Sequence, residues 1–360
     1  MGISPETPDG HVYYVRLATP KGRLYKIGFT KKVSVEERFS YDGSDAHKLI
    51  DKVLLFKYSP YAYQIETEYL HGHLRTQKAY KGHGLKSLFR DSSKLPLFGD
   101  GQTELYQHDV LGLDPDYRPP RKWLGRFSKD RHDLVNKNSL DFNHYWEGTR
   151  AEASSKVNRT IRAFLSAPHF YTKDDFIRDN GQWVVKLNKW AALNAMHGIE
   201  GKTIHGTTAL PHTKDQLLKL KKFSPKWGWV KSFPDEVGQL TNLEVIRVNS
   251  LGVSTLPSSL FRLKKVRVLD ISGSSIDRLP DELGNMSSLE VLILGNGENI
   301  VSLPKLESMP PKLKRIRLFS ENIPKFQSSF PDLAHLVKDN FMITWKNGYR
   351  DDFYDLDSID

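Results

Sequence analysis

A phenol, two cations and a carboxylate near the amino terminus are side chains that could act together on a phosphate ester: Tyr13, Lys26, Arg38 and Glu66. A tyrosine phenol, whose ordinary pKa is about 10, accepts a proton from water only where a nearby cation favours its phenolate form. An arginine offers a fixed fork of donors to a phosphate, and a carboxylate offers a hard oxygen to Mg²⁺. These residue types suit hydrolysis of a phosphodiester bond if the fold brings them together.

The sequence around these residues predicts a small α/β unit. Residues 11–18 and 23–30 are rich in β-branched and aromatic side chains, and the short turn between them predicts a β-hairpin. Ser34 is the predicted N-cap of a helix that has two glutamates in its first turn. Residues 62–74 predict a second helix, which carries Glu66.

Five short motifs follow one another in this part of the chain. They are Val12-Tyr13 on the first strand, Lys26-Ile27-Gly28 followed by Phe29-Thr30 on the second, Arg38 on the first helix, Ala62-x-x-Ile65-Glu66 on the second helix, and Gly101-Gln-Thr-Glu104-Leu-Tyr106 further on. Their order resembles that of the GIY-YIG nuclease superfamily, in particular the phage-type branch in which both signature tripeptides are degenerate. The resemblance covers about residues 10–113.

This resemblance implies an endonuclease that hydrolyses DNA with Mg²⁺ or Mn²⁺. By motif position, Tyr13 is the general base, Arg38 holds the scissile phosphate, Lys26 adds a positive charge and Glu66 is the metal ligand. The relatives with this pattern are phage-encoded endonucleases, which implies the host cytoplasm as the compartment. Many of them are homing enzymes and others cut competing DNA, and the sequence does not separate the two.

Two positions depart from the family pattern. His11 replaces the glycine of the first signature, and Lys26 occupies the position of the second signature tyrosine. Either Lys26 takes over the role of that tyrosine, or Tyr14 or Tyr25 does, or the site is weakened. Tyr25 is adjacent to Lys26 and would point to the opposite face of the strand.

Other polar residues nearby have less specific interpretations. Glu104 is a second carboxylate that could join the metal, although a closing-strand or substrate-facing position is favoured. His71 and His73 are two residues apart on the predicted helix and would face apart, which favours a surface position for at least one of them.

The middle of the chain is its most basic part. Residues 151–231 contain 14 Lys and Arg against 6 Asp and Glu, in a chain whose formal net charge is +10. Such a surface attracts polyanions through counterion release, and interleaved aromatic residues suit base stacking, so DNA is the expected partner. An ordinary solvated basic surface explains the charge equally well. The candidate substrate-binding residues are Lys219, Lys221 and Lys222, with Arg121 and Lys122 in the proline-rich linker.

A repeat occupies the carboxyl-terminal side. Leu-Pro or Phe-Pro pairs end at Pro234, Pro257, Pro280 and Pro304, in steps of 23, 23 and 24 residues, and an L-x-x-L-x-L pattern keeps the same steps. The shared period resembles leucine-rich repeats, in which each repeat adds a strand to a parallel sheet. Residues between the leucines, such as Arg247 and Asp270, would face the concave side and bind a protein partner. Alternatively, the repeats only form a scaffold against the neighbouring domain.

Composition excludes several classes of protein. The 360-residue chain has no cysteine, which excludes a disulfide framework, a thiolate-ligated zinc site and a cysteine nucleophile. It shows no apolar export segment and no uninterrupted run of about 18 apolar residues, so no membrane span is expected. We expect a cytoplasmic protein.

Together these observations predict an α/β protein with five segments. They are a GIY-YIG-like nuclease domain with a small mixed sheet (1–113), a linker (114–150), a basic, mainly helical, DNA-engaging domain (151–231), an α/β leucine-rich-repeat solenoid (232–326), and a cap with an acidic tail (327–360). The expected function is metal-dependent DNA cleavage. The alternative is a non-catalytic DNA-binding adaptor whose repeats recruit a protein, and an RNA-directed enzyme is a third interpretation.

Overall fold

The chain divides into two compact units, Met1–Leu193 and Asn194–Asp360. The computed structural model describes residues 9–19, 22–40, 45–71, 105–106, 109–118, 164–166, 168–196, 210–223, 232–248, 252–272, 274–295, 300–318, 320–340, 345–346 and 349–350. Each unit contains its own sheet.

The sheet of the amino-terminal unit is organised around an antiparallel hairpin. Its strands are β1 (Gly10–Thr19), β2 (Gly22–Thr30), β3 (Ile50–Ser59), β4 (Leu105–Tyr106) and β5 (Phe170–Tyr171), in the order β4-β2-β1-β3-β5. β5 pairs parallel with β3, and the other pairs are antiparallel. The predicted hairpin of β1 and β2 is confirmed, and Tyr13 lies directly opposite Gly28 in its register.

Strand alternation gives this sheet two distinct faces. The Tyr13 face carries Tyr13, Val15 and Leu17 of β1, with Leu24 and Lys26 of β2 beside them. The helix α1 (Val35–Phe39) packs on this face, where Val35 and Phe39 join Tyr13, Val15 and Leu17 in one apolar cluster. The Tyr14 face is the opposite one, and it carries Tyr14, Arg16, Tyr25 and Ile27.

The two predicted helices of this unit are both present. Ser34 caps α1, since its hydroxyl accepts a hydrogen bond from the backbone amide of Glu37 at 3.1 Å. A short 3₁₀ turn, Ala46–Leu49, precedes β3. The second helix begins as α2 (Ala62–Gln64) and continues as a π-helical turn, Ile65–His71. Its prediction over 62–74 is confirmed as far as His71, and the last three residues lie outside the described residues.

Two further helices follow β5. They are α3 (Lys173–Asn180), which begins with a capping box between Thr172 and Asp175, and α4 (Gln182–Met196). Phe176 of α3 packs edge-on against Tyr58 of β3, and the hydroxyl of Tyr61 donates to Asn188 of α4 at 2.9 Å. These contacts attach the beginning of the predicted basic domain to the amino-terminal sheet.

The second unit contains a parallel sheet of six strands in the described residues, in the order β11-β10-β9-β8-β7-β6. They are β6 (Lys222–Phe223), β7 (Val245–Arg247), β8 (Val268–Asp270), β9 (Val291–Gly295), β10 (Arg315–Leu318) and β11 (Val337–Asn340). The repeating prolines precede short 3₁₀ turns at Asp235–Gln239, Ser258–Arg262 and Asp281–Asn285. These strands confirm the predicted repeats. In each repeat the apolar positions are buried against the next repeat.

The remaining elements of this unit are short. The helix α5 (Lys214–Leu217) precedes the repeat sheet in sequence, and α6 (Ile323–Ser329) lies between β10 and β11. The strand β12 (Trp345–Lys346) pairs antiparallel with β13 (Tyr349–Arg350). In the parts of the chain that the structure describes, no helix is long and apolar enough to cross a membrane.

A row of alternating charges precedes the repeat strands. This charge ladder consists of Lys221, Glu244, Arg267, Glu290 and Lys314, each immediately before its strand. Lys221 lies 2.9 Å from Glu244, Arg267 lies 2.9 Å from Glu290, and Lys314 lies 3.4 Å from the same Glu290. The repeat therefore sets charge pairs in register as well as apolar contacts.

The concave strand positions are largely buried. Val245, Val268 and Val291 are at most 5% exposed, and the buried Arg247 donates to Asp270 at 3.0 Å. Arg315 and Arg317 in the fourth repeat are half-buried. Ser272, at a concave position two repeats earlier, is also half-buried, so the expected mixed surface keeps partial exposure at these three polar positions.

The segment boundaries differ from the predicted ones at two places. Asp114, the first residue of the predicted linker, accepts a hydrogen bond from Arg16 of β1 at 3.0 Å and so belongs to the amino-terminal unit. The predicted domain 151–231 is divided, because β5, α3 and most of α4 belong to the first unit whereas Lys222 and Phe223 pair with β7 in the second. These connections are long-range pairings, which local patterns do not reveal.

Candidate functional site

Tyr13 lies at the centre of the hairpin, and its phenol covers Gly28. A Cβ atom at position 28 would overlap Cζ and Oη of Tyr13, so the close approach requires glycine there. The Tyr13 ring packs edge-on against Phe39 of α1, with ring centroids 5.8 Å apart, and the residue is 1% exposed. The phenol of the predicted general base is therefore enclosed among apolar side chains.

Lys26 lies on the Tyr13 face of the sheet, and Arg38 lies on the helix that packs against this face. Lys26 pairs with Val15 on β1 and with Leu105 on β4, which puts it on the Tyr13 face, and it is 3% exposed. Arg38 is half-buried in the last turn of α1, next to Phe39. Strand register and the packing of α1 thus gather Tyr13, Lys26 and the helix of Arg38 on one face.

Glu66 lies in the π-helical turn and is 5% exposed. Its Oε1 lies 2.9 Å from Nε2 of His71, and Nδ1 of His71 lies 2.6 Å from the hydroxyl of Tyr106. His71 is buried, and His73 lies outside the described residues, so the surface position expected for at least one of the two histidines stays a prediction. Glu66, His71 and Tyr106 form a continuous chain of polar contacts.

These polar contacts from Glu66 to Tyr106 lead toward the other face of the sheet. Tyr106 lies directly opposite Tyr25 in the pairing of β4 with β2, and Tyr25 belongs to the Tyr14 face. The helix of Glu66 also contacts that face, since Tyr63 packs edge-on against Phe29 of β2, which alternates with Gly28. Tyr13, Lys26 and Arg38 are thus grouped around one face, whereas the contacts of Glu66 lead to the other, and the catalytic roles of all four stay predictions.

The remaining two tyrosines that could replace the second signature tyrosine are buried hydrogen-bond donors. Tyr14 donates to Asp109 at 2.9 Å and Tyr25 donates to Asp114 at 2.7 Å. Burial, reinforced by the adjacent carboxylate, raises the pKa of Tyr14 well above its ordinary value, and burial with Asp114 raises the pKa of Tyr25. Both phenols lie on the face opposite Tyr13 and are engaged by carboxylates, so which residue takes the role of the second signature tyrosine stays a prediction.

A polar network that the sequence did not indicate holds these tyrosines. Arg16 is 5% exposed on the Tyr14 face and contacts Asp51 at 2.6 Å, Asp114 at 3.0 Å and Asp116 at 3.1 Å. Buried charges are costly without partners, so this network fixes residues 109–118 against the sheet. The available signal was Arg16 itself, because an arginine between apolar residues of a predicted inner strand requires a carboxylate from elsewhere.

The basic candidates of the middle segment belong to the repeat unit. Lys219, Lys221 and Lys222 are exposed, as a substrate-binding role requires. They follow the helix α5, which ends at Leu217, and Lys222 begins β6. Arg121 and Lys122 lie outside the described residues.

Glu66 is the predicted metal ligand, and its surroundings can be compared with the ligands that a divalent cation requires. No group of three or more His, Asp or Glu side chains able to hold a metal occurs in the described part of the chain. Mg²⁺ is commonly bound by one or two carboxylates and keeps several waters, so a single buried carboxylate fits this ion. Oε1 of Glu66 meets His71, and the cation would be held through Oε2.

The comparison with known families concerns the repeats. Residues 182–335 match the family model of a leucine-rich repeat region, in agreement with the parallel sheet and its 23-residue period. The chain thus contains a leucine-rich-repeat region within a mixed α/β structure. This match does not extend to the hairpin and its tyrosines, so the GIY-YIG resemblance stays a prediction.

The chain was also compared with solved structures and with curated proteins. One solved structure that resembles the chain is a leucine-rich-repeat protein of Leptospira interrogans, with 21% identity and a TM-score of 0.25. The alignment covers 35% of this chain and 38% of that protein. No curated protein matches the chain.

Proposed function

We propose that the chain is a metal-dependent endonuclease that hydrolyses phosphodiester bonds in DNA in the cytoplasm, with a leucine-rich-repeat region that engages a protein partner or the substrate. The observation that supports it most is the hairpin register, which covers Gly28 with Tyr13 and puts Lys26 on the same face. These are the signature positions of the superfamily that the sequence resembles. The repeat region supports the protein partner, because such repeats commonly bind proteins.

In this proposal each side chain acts according to its chemistry. Lys26 stabilises the phenolate form of Tyr13 through its positive charge, and Tyr13 then accepts a proton from the attacking water. Arg38 binds the scissile phosphate and stabilises the negative charge that grows there. Glu66 would hold Mg²⁺, and the bound cation would supply Lewis-acid stabilisation of negative charge on a phosphate.

Substitution of Glu66 tests the proposal directly. Glu66→Ala removes the metal ligand without changing the exposed basic surface, so it should abolish Mg²⁺-dependent cleavage of plasmid DNA and leave DNA affinity within about twofold of the wild type. Glu36→Ala is the matched control, because Glu36 is an exposed glutamate on α1. Cleavage that persists in Glu66→Ala, or DNA affinity that falls together with activity, would count against this role.

The burial of Tyr13 favours a second candidate function. A phenol that is 1% exposed in an apolar cluster packs the sheet as well as a core residue does, and it needs no catalytic role. In this alternative the amino-terminal unit binds DNA without cutting it, and the repeats recruit a protein. DNA binding by the wild type with no cleavage in any divalent metal would select the adaptor over the enzyme.

A further inference from the structure

The geometry points to His71 and Tyr106 as positioning residues for the Glu66 carboxylate: we propose that they hold one orientation of Glu66 and thereby direct its Oε2 to a divalent cation. The inference rests on the proposed function for its metal, and it adds two residues to which no role has been assigned. Its physical basis is the chain of contacts from Glu66 Oε1 to His71 Nε2, and from His71 Nδ1 to the Tyr106 hydroxyl.

The irregular helix is what brings the first two residues together. Glu66 and His71 are five residues apart, whereas side chains that meet on a regular α-helix are three or four apart. Ile65–His71 forms a π-helical turn, in which the i to i+5 spacing lies on one side. The chain therefore departs from α-helical geometry at the position where a carboxylate and an imidazole meet.

The second contact fixes the imidazole ring. Tyr106 lies on β4, where pairing with Tyr25 of β2 holds its backbone. Its ring is nearly parallel to that of His71, with 10° between the planes, and its hydroxyl lies 2.6 Å from Nδ1. Because His71 is 3% exposed, this contact and the surrounding burial hold one ring orientation.

The Glu66 carboxylate bears on which atoms of His71 and Tyr106 donate and which accept. A carboxylate oxygen accepts hydrogen bonds, so the tautomer of His71 with its proton on Nε2 turns an N–H toward Glu66. In that tautomer Nδ1 accepts a hydrogen bond from the Tyr106 hydroxyl. The contact of Nε2 with Oε1 has the distance of an ion pair but not the angle of a hydrogen bond, so its attraction is electrostatic. Carboxylates that bind metals are commonly held by such outer contacts.

Binding of Mn²⁺ by the full chain, followed by the electron paramagnetic resonance signal of the free ion, tests the assignment without any cleavage assay. The wild type should bind one Mn²⁺ ion that Glu66→Ala loses. Tyr106→Phe and His71→Gln should each weaken Mn²⁺ binding by about tenfold or more, which is the usual effect of losing an outer-shell partner.

Tyr171→Phe is the matched control, because Tyr171 is also half-buried and its hydroxyl lies 2.6 Å from Asp179 instead of a histidine. It should bind Mn²⁺ as the wild type does. Tyr106→Phe removes a single oxygen, so it carries the test even if His71→Gln fails to fold. In ¹⁵N spectra, the wild type should show His71 with its proton on Nε2 and with a hydrogen-bonded Nδ1 that Tyr106→Phe loses.

The outcomes separate this inference from the proposed function. Mn²⁺ binding that weakens in Tyr106→Phe but not in Tyr171→Phe supports the positioning role, even if the wild type cuts no DNA and the nuclease proposal fails. Equal Mn²⁺ binding by Tyr106→Phe and the wild type would overturn it. The same conclusion would follow if Glu66→Ala bound Mn²⁺ as tightly as the wild type.

Discussion

Gly28 and Tyr13 constrain each other across the hairpin. The phenol of Tyr13 occupies the space that a side chain at position 28 would need, and Phe39 of α1 packs edge-on against the same ring. The glycine is thus required by a close approach to a ring and not by an unusual backbone angle. Whatever Tyr13 does chemically, its position depends on Gly28.

A double-mutant cycle measures this dependence. Gly28→Ala should lower the free energy of unfolding by about 1–3 kcal/mol, because the added methyl group overlaps the Tyr13 ring. The same substitution in a Tyr13→Ala background should cost much less, since the overlapping ring is gone. Urea denaturation of the four proteins supplies the comparison, and equal costs in both backgrounds would show that the ring does not limit position 28.

The charge ladder is the corresponding feature at the scale of elements. Glu290 pairs with Arg267 on one side and Lys314 on the other, so it connects three successive repeats. The hydrogen bond from Arg267, with the nearby Lys314, holds the pKa of Glu290 below its ordinary value. A lowered pKa in the folded state stabilises the fold above the unfolded-state pKa, and this contribution is lost as the pH falls through the folded value.

Glu290→Gln should therefore destabilise the repeat unit in a pH-dependent way. At pH 7 we expect the free energy of unfolding to fall by about 1 kcal/mol, and in acid below the folded pKa the difference from wild type should disappear. Glu282→Gln, at an exposed glutamate of the third repeat, is the control. Urea denaturation at both pH values supplies the measurement, and a pH-independent loss of stability would show that packing, not charge, explains the effect.

Local patterns predicted the elements that the structure confirms. Runs of β-branched and aromatic residues around a short turn predict the hairpin, Ser34 signals the start of α1, and the 23-residue period locates the repeat strands. The docking of Asp114 onto Arg16 and the pairing of Phe170 with Phe56 join residues about 100 apart, with no local signal for either partner. The π-helical turn that brings Glu66 to His71 is equally invisible, because its residues have an ordinary helical pattern.

At the scale of the whole molecule, the net charge of +10 would favour the proposed DNA partner, and three exposed lysines are the sharpest test of where DNA would bind. Substituting Lys219, Lys221 and Lys222 together by alanine should reduce the salt dependence of DNA binding, since each phosphate contact contributes a slope of about 0.9 or less. Replacing the exposed Lys264, Lys265 and Lys312 removes the same charge from the same unit and is the control. An equal salt slope in both triple variants, measured by fluorescence anisotropy, would put the DNA contacts elsewhere.

The most direct test of the account is cleavage of supercoiled plasmid DNA by the full chain, with Mg²⁺ or with EDTA, for the wild type beside Tyr13→Phe. The proposed nuclease predicts nicked or linear product with the wild type in Mg²⁺ only, and little or none with Tyr13→Phe, because that variant lacks only the phenol oxygen. The absence of product from the wild type in Mg²⁺ and in Mn²⁺, or equal cleavage by Tyr13→Phe, would contradict it.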